Sequence, residues 1–428
     1  MNLEWILEEA KTIFPNVVRE RRYVHSLAEV GFELYETRDF IERELSSFGL
    51  LPARLGRCGV VTTIKGQAPP PIGSSDNKDE KRIAKVTQFG KFFRENKNCV
   101  LLRADADALP IEEKTSLPFS SKGGSMHACG HDMHTAMLLG CAKILSRNTD
   151  KFSGEIKLAF QPAEEILSGA KDMVECGLLK KPEVKCAAML HVVPATNFAT
   201  GSIFLPPYGI SAPSAEFFKI TVFGKSAHGA SPSAGADASV AGCKIVGAID
   251  SMLAHEIVGG NATLTIGKIV SGSAPNIISD RCEIWGSLRS VDEKTKAYLK
   301  TRLKSLSEQT ARAHKCIASL EFTSSCPALK NSVKITKKVE ECLNLLYKSL
   351  TNASIIPPNT NGVSATLASE DFSYISRLVP SVCLGISAGN IKDGYKHPLH
   401  HPSVTFDEDA LLYGMATYTA LGIYLLNK

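Results

Sequence analysis

Short apolar runs alternate with helix-like stretches through the first half of the 428-residue chain. Three runs of this kind occur, at 99–103, 154–160 and 186–190. They are separated by two stretches, 135–145 and 170–179, in which apolar residues recur at helical spacing. Strands that alternate with helices in this way are typical of an α/β domain, so the pattern predicts that fold class.

Acidic residues or a histidine follow each of these apolar runs. Asp105 and Asp107 follow the first run, Glu164 and Glu165 the second, and His191 the third. In an open α/β sheet, ligands bind beyond the carboxyl ends of the strands. The pattern therefore predicts that these potential ligand side chains share one edge of one sheet.

Apolar residues also recur at helical spacing at the start of the chain, from Leu3 to Ser47, with interruptions near Pro15 and Gly31. We therefore expect two or three helices there. Residues 66–98 depart from this pattern, because consecutive prolines lead into short polar residues and a mixed basic run. That composition predicts an exposed insertion, which we favour over a basic arm that binds a partner.

Alternating strands and two helical stretches replace the α/β pattern in the middle of the chain. The strand-like segments are 216–223, 262–269 and 281–288, and the helical stretches are 237–253 and 293–314. The α/β pattern then returns near 332–350. We therefore predict a larger α/β domain formed by 1–212 and 327–428, with a smaller α+β domain inserted at 213–326.

Composition and charge narrow the class of protein. Hydrophobic residues make up 44% of the chain and charged residues 22%, which is typical of a globular protein. No apolar run approaches the roughly 18–20 residues that a membrane span needs. The first residues lack the pattern of a secretory signal, and the 12 cysteines show no repeated spacing, so we expect a cytoplasmic protein. A net charge of +5 gives little support for nucleic-acid binding.

The segment MHACGHDMHT, residues 126–135, has the highest local density of potential metal ligands. Cys129 and His131 lie two positions apart in a turn that contains glycine, so both can approach one ion. A thiolate and a neutral imidazole are good ligands for first-row transition metals. The alternative is a polar turn in which Asp132 caps the following helix, but it leaves the cysteine unexplained.

Two adjacent glutamates end the segment FQPAEE, residues 160–165. One carboxylate can bind a metal while the other takes a proton from a nearby water and returns it to a leaving amine. Adjacent glutamates are also common on helix surfaces, but their position after a buried strand favours the functional interpretation. Likewise, a lone histidine is more often a core residue than a ligand. His191 is nevertheless a candidate ligand, because it lies at the end of an apolar strand.

Further candidates lie near the end of the chain. The segment HPLHHP, residues 397–402, offers three more histidines, one of which could complete a metal site. Glu370 and Asp371 could lie close by, or could begin a helix, where acidic side chains are favoured by the helix dipole.

Together these segments resemble the M20 amidohydrolases. The resemblance rests on RADADALP, HACGHDMHTAMLLG, FQPAEE with SGAKDM, LHVVP and LHHPSVTFDE. It favours the aminoacylase-like branch, which includes N-acyl-amino-acid amidohydrolases, hippurate hydrolases and plant auxin-conjugate hydrolases. It covers nearly the whole chain outside residues 66–98.

This resemblance implies a fold and a metal centre. The expected fold is a large zinc-peptidase-like catalytic domain with an inserted α+β, ferredoxin-like domain that serves as a lid and in dimerisation. Two divalent ions are implied, zinc or manganese first, with cobalt and nickel as alternatives. The implied metal ligands are Cys129, His131, Glu165, His191 and His400, with His401 as the alternative to His400. Glu164 is implied as the general base.

The resemblance also assigns residues of the inserted domain. Its GKxxH segment corresponds to Gly224–His228, and His228 is expected to stabilise the oxyanion, in relatives often across a dimer. Asn276 and Arg289 are expected to bind the carboxylate of the substrate or to support the site, and the guanidinium of Arg289 suits bidentate recognition of a carboxylate. Alternatively, Arg289 could brace the sheet through a salt bridge.

The expected function is metal-dependent hydrolysis of the amide bond of N-acyl-L-amino acids, carried out by a homodimer or larger homo-oligomer. A dipeptidase or carboxypeptidase is one alternative. A catalytically silent protein that binds acyl amino acids or peptides is another, although an intact Glu164 argues against it. The third alternative is a mechanism in which Cys129 acts as the nucleophile, but the surrounding acids and histidines fit a metal better.

Overall fold

The computed structural model of the protein describes residues 3–69, 98–257, 262–350, 352–358 and 369–426. The chain divides into two compact units. The larger unit comprises Met1–Gly209, Lys330–Ala365 and Tyr374–Lys428, and the smaller unit comprises Ile210–Leu329 and Thr366–Ser373. Most of the insertion expected at 66–98 lies outside the described residues.

A mixed sheet of eight strands, counted over the described residues, forms the centre of the larger unit. Its strands are β1 (Ala53–Leu55), β2 (Gly59–Gln67), β3 (Cys99–Asp105), β4 (Ser153–Gln161), β5 (Val184–Val193), β6 (Ile203–Phe204), β15 (Ile355–Ile356) and β16 (Ser381–Ser387). They lie in the order β1-β2-β4-β3-β5-β16-β6-β15. Strands β4, β3, β5 and β16 run parallel. The three apolar runs thus form neighbouring strands, as predicted, and their carboxyl ends meet at one edge.

Helices pack against this sheet. They are α1 (Glu4–Leu27), α2 (Tyr35–Ser47), α3 (His131–Arg147), α4 (Gly169–Glu175), α7 (Val333–Leu346) and α9 (Ala410–Leu426); the short α8 (Ser373–Ser376) lies where the chain re-enters the larger unit. Helices α3 and α9 are buried on nearly every side, which explains their almost continuous apolar sequences. None of the helices in the described part of the chain has the length and apolar character that crossing a membrane requires.

The helix break expected near Pro15 is wrong, because α1 continues through that residue. Proline removes one intrahelical hydrogen bond and usually interrupts a helix. Pro15 lies on the exposed face of α1, where water can satisfy the freed carbonyl, while Ile6, Ile13 and Val17 are buried on the opposite face. Packing of that face therefore outweighs the lost bond. The break expected near Gly31 is present between α1 and α2.

The smaller unit contains an antiparallel sheet of four strands among its described residues. Its strands β8 (Ser214–Phe223), β10 (Ala262–Ser271), β12 (Arg281–Ser290) and β13 (Ile317–Cys326) lie in the order β10-β12-β8-β13. Helices α5 (Ala238–Glu256) and α6 (Glu293–Ala313) pack on this sheet and share its apolar core. Two shorter strands of this unit are β9 (Ala227–His228) and β11 (Ile277–Ile278), whereas β7 (Gly209–Ala212) and β14 (Leu329–Asn331) lie where the chain passes from one unit to the other.

Candidate metal centre

A glycine turn at the start of α3 positions the first two candidate ligands, Cys129 and His131. Gly130 has a φ of 81°, a left-handed conformation that side chains disfavour. A Cβ atom at this position would also lie 2.4 Å from Val192 Cγ2. Glycine therefore allows the turn to pack closely against the end of β5.

Donor atoms from distant parts of the larger unit meet at this edge of the sheet. Cys129 Sγ lies 3.6 Å from His191 Nε2 and 3.3 Å from His400 Nε2. Glu165 Oε1 lies 3.6 Å from His400 Nε2 and 3.9 Å from His131 Nε2. Donors around a tetrahedral zinc ion are separated by about 3.5 Å, given zinc–ligand bonds of about 2.0–2.3 Å. The spacing therefore suits donors that surround metal ions.

Backbone carbonyls determine which ring nitrogens face this cluster. His131 Nδ1 donates to the carbonyl of Asp107 at 2.8 Å, and His191 Nδ1 donates to the carbonyl of Val192 at 2.8 Å. The Nε2 atoms of both rings are therefore directed at the other donors. Histidines that bind metals usually donate their second ring N–H to such an acceptor.

Buried polar atoms without partners also indicate a metal. Among the described residues, neither His131 Nε2 nor Glu165 Oε1 has a hydrogen-bond partner, although both atoms are buried. Burial raises the pKa of the Glu165 carboxyl to about 7 and raises the pKa of the Cys129 thiol well above its usual range. A bound cation would reverse both shifts, because it stabilises a carboxylate and a thiolate. The residues present thus fit a divalent metal pair.

Asp107 fixes the backbone of the glutamate pair. Its Oδ1 accepts a hydrogen bond from Glu164 N–H at 3.0 Å, and its Oδ2 accepts one from Glu165 N–H at 3.2 Å. Glu164 is itself buried, and its carboxylate belongs to a group of donor atoms, with His131 and Glu165, that lie within 4.8 Å of one another. A carboxylate is therefore held beside the candidate ligands.

Residues 101–422 match the model of peptidase family M20/M25/M40. The chain belongs to this family. An N-acetyl-L-cysteine deacetylase of Bacillus subtilis is 33% identical over 405 residues, which cover 94% of this chain and 86% of the relative. Thermostable carboxypeptidase 1 of Saccharolobus solfataricus is 30% identical over 438 residues, which cover 100% and 99% of the two chains. The fold is also similar to the crystal structure of a dinuclear metal-binding M20 peptidase of Bacillus subtilis, with a TM-score of 0.71 and 25% sequence identity. The match covers 97% of this chain and 99% of that chain.

M20 membership confirms the resemblance drawn from the sequence motifs and identifies the chain as a hydrolytic enzyme. Dinuclear metal binding in the Bacillus peptidase agrees with the donor cluster of this chain. The family assignment does not depend on the individual ligand residues, whose roles stay predictions.

The residues that the M20 resemblance assigns to the substrate lie in the smaller unit. His228 ends β9, and its Nδ1 accepts a hydrogen bond from Ala230 N–H at 3.0 Å. Arg289 lies in β12 and donates to the hydroxyl of Ser369 at 3.1 Å. Asn276 precedes β11, and its carbonyl accepts a bond from the N–H of Gly229.

The acidic pair Glu370 and Asp371 also belongs to the smaller unit. Glu370 Oε1 accepts a hydrogen bond from Phe372 N–H at 2.9 Å, just before α8. This contact is typical of a helix start, and the ligand role considered for the pair stays a prediction.

Proposed function

We propose that this M20 enzyme hydrolyses the amide bond of N-acyl-L-amino acids to a carboxylic acid and a free amino acid. The observation that carries the proposal is the cluster of donor atoms beside Glu164 at the carboxyl edge of the sheet. The N-acetyl-L-cysteine deacetylase among the relatives supports the choice of N-acyl amino acids as the substrate class.

The proposed metal ligands are Cys129, His131, Glu165, His191 and His400. Their mixed nitrogen, sulfur and oxygen donors suit zinc or manganese, with cobalt and nickel as alternatives. Two such ions, when bound, polarise a carbonyl and make water more acidic. Glu164 would take the proton of the attacking water and deliver it to the leaving amine. Its buried position, with the backbone N–H fixed by Asp107, would keep that carboxylate in place.

We further propose that the smaller unit, expected at 213–326, is a ferredoxin-like lid and dimerisation domain of a cytoplasmic homodimer or larger homo-oligomer. His228 would donate a hydrogen bond where negative charge develops on the substrate carbonyl. Asn276 and Arg289 would bind the free carboxylate of the substrate. The hydroxyl of Ser369, which Arg289 contacts within the same unit, would orient the guanidinium.

Carboxypeptidase or dipeptidase activity is a second candidate. It is favoured by the 30% identity to the thermostable carboxypeptidase of Saccharolobus solfataricus over the whole chain. The two functions differ in the substrate, because a dipeptidase accepts a free amino group where an aminoacylase accepts an acyl group.

A substrate panel tests both functions. It contains N-acetyl, N-benzoyl and indole-acetyl amino acids together with unblocked dipeptides, and mass spectrometry measures the free amino acid released. We expect release from the N-acylated substrates, loss of release with a chelator, and a fall of about 10²- to 10⁴-fold in kcat for Glu164→Ala, as for loss of a general base.

The matched control is Glu175→Ala, which removes an exposed glutamate of α4 and should leave kcat unchanged. Release from dipeptides alone would favour the second candidate. Full activity in the presence of chelator, or in Glu164→Ala, would contradict the proposed mechanism.

A further inference from the structure

Strands β3 and β5 separate before they reach the metal centre. Their pairing ends at Arg103 and Met189, two residues before His191. Beyond that point, the N–H of Val192 donates to a side chain, His134 Nε2 in α3, at 2.8 Å. A histidine thus replaces the missing strand partner where β5 carries a candidate ligand.

A second hydrogen bond fixes the other ring nitrogen of His134, because Nδ1 donates to the carboxylate of Asp105. The same carboxylate accepts a bond from Arg103 Nη1 at 2.7 Å, and all three side chains are fully buried. Since Val192 N–H donates to Nε2, the proton of the ring lies on Nδ1. Both nitrogens are therefore engaged, and neither is available to a metal, although His134 lies three residues after His131.

His134 also contacts His191 directly. The centroids of the two rings lie 4.6 Å apart, and the angle between the ring planes is 67°. The carbonyl of Val192 accepts the hydrogen bond from His191 Nδ1 at 2.8 Å, while the N–H of the same residue donates to His134. The direction of His191 Nε2 therefore depends on a backbone segment that His134 holds.

We propose that His134 is a positioning residue of the metal centre, which holds the end of β5 so that His191 Nε2 points at the metal. The inference rests on the ligand role of His191 in the proposed function. Loss of a group that orients a ligand typically costs about 10- to 100-fold in metal affinity. No signal in the sequence distinguished His134 from the other histidines of MHACGHDMHT, because its partners come from two strands.

The variant His134→Phe tests the proposal, since it keeps an aromatic ring beside His191 but removes both hydrogen bonds. In metal-depleted protein, we expect the affinity of one site for Zn²⁺, measured by competition with a chelator, to fall about 10- to 100-fold. We also expect the visible absorption bands of the Co²⁺-loaded protein to shift, because they depend on ligand geometry. His134→Gln, whose amide can accept from Val192 N–H, should recover part of the affinity.

Tyr418→Phe is the matched control. The hydroxyl of Tyr418 accepts from Leu190 N–H at 3.0 Å and donates to the carbonyl of Arg103 at 2.7 Å, so the variant, like His134→Phe, removes two buried hydrogen bonds. We expect Zn²⁺ affinity within about threefold of wild type, because these hydrogen bonds contribute to folding and neither involves Val192, whose carbonyl orients His191.

An unchanged Zn²⁺ affinity and Co²⁺ spectrum in His134→Phe would overturn the inference. If His134→Phe does not fold, His134→Asn replaces it, because the shorter amide can still donate to Asp105 but does not reach Val192. An unchanged Zn²⁺ affinity in His134→Asn would likewise overturn the inference. Failure of the wild-type protein to bind Zn²⁺ or Co²⁺ would instead overturn the proposed metal centre.

Discussion

The adjacent residues His400 and His401 have different environments. His400 adopts a left-handed conformation, with a φ of 65°, and its Nε2 lies 3.3 Å from Cys129 Sγ. The ring of His401 stacks on that of His397 at 4.1 Å, and its Nδ1 accepts a hydrogen bond from Ser403 N–H. His400 therefore faces the candidate ligands, whereas His401 is engaged elsewhere.

This difference predicts opposite results for two alanine variants. His400→Ala should lower the affinity for at least one Zn²⁺ ion by more than about 100-fold, because even an orienting group contributes about 10- to 100-fold. His401→Ala should retain Zn²⁺ affinity within about threefold, as expected for a partly exposed side chain away from the ligands. Elemental analysis after dialysis against a graded chelator series measures both. The reverse order would identify His401 as the ligand.

The residue types in the sequence identified the candidate ligands, but they did not identify the residues that hold those ligands in place. Cys129 stood out because a thiol among histidines and an aspartate has little structural explanation. The fully buried Arg103 gave no such signal, although it donates to Asp105 at 2.7 Å and to Gln161 Oε1 at 2.9 Å. Its partners lie on its own strand and on the neighbouring strands β4 and β5, so only the pairing of the sheet defines them.

At the level of elements, buried charges connect α1 to α3. His25 Nδ1 lies 2.8 Å from Asp132 Oδ2, and its Nε2 lies 3.2 Å from Glu113 Oε1. Arg21 Nε also contacts Asp132 Oδ2, at 2.7 Å. The role considered for Asp132 as a helix cap is wrong, because Gly130 occupies the capping position and the carboxylate is engaged by α1.

The pKa of His25 reflects opposing influences. Burial disfavours the charged ring, and Arg21 also lowers the pKa, but the carboxylates of Asp132 and Glu113 outweigh both and raise it above its usual range. The neighbouring ring of His127, 6.1 Å away, is itself buried and neutral, since burial lowers its pKa to about 3. The two carboxylates therefore favour the charged form of the His25 ring.

This arrangement predicts a pH-dependent contribution to stability. Because the pKa of His25 is higher in the folded than in the unfolded protein, its contribution is fully present below the unfolded pKa of about 6.5 and is lost as the pH rises through the folded pKa. His25→Gln should therefore lower stability by about 3 kcal/mol near pH 6, as for removal of one partner of a buried ion pair, and by less near pH 9.

Thermal unfolding of both proteins across this pH range measures the difference. The control is His255→Gln, at an exposed position of α5, for which we expect no such trend. A difference between wild type and His25→Gln that does not change with pH would mean that folding does not raise the pKa of His25.

The spacing of apolar residues in the sequence located the helices and strands better than it located their ends. The helix expected at 135–145 begins at His131, because Gly130 starts α3 four residues earlier than the apolar pattern indicated. A four-stranded sheet was expected in the smaller unit, but the sequence pattern did not locate its edge strand β13. Three consecutive polar residues, Thr323–Ser325, interrupt the apolar pattern of this strand.

At the level of the whole molecule, the two units have separate apolar cores, and the five proposed metal ligands all lie in the larger one. The change of pattern near 213 indicated an inserted domain. No local pattern could show that Ser369 belongs with it, because that assignment depends on contacts between distant residues. Ser369 accepts from Arg289 at 3.1 Å and donates to the carbonyl of Pro213 at 3.0 Å.

The two tryptophans of the chain allow the units to be followed separately, since Trp5 lies in α1 and Trp285 in β12. In Trp285→Phe protein, fluorescence reports the larger unit, and Zn²⁺ at about 100 times its dissociation constant should stabilise that unit by about 2.7 kcal/mol. In Trp5→Phe protein, fluorescence reports the smaller unit, whose midpoint in denaturant should not move with Zn²⁺ or chelator. Equal shifts for both reporters would mean that the units unfold together, because a ligand that binds only one independent unit cannot stabilise the other.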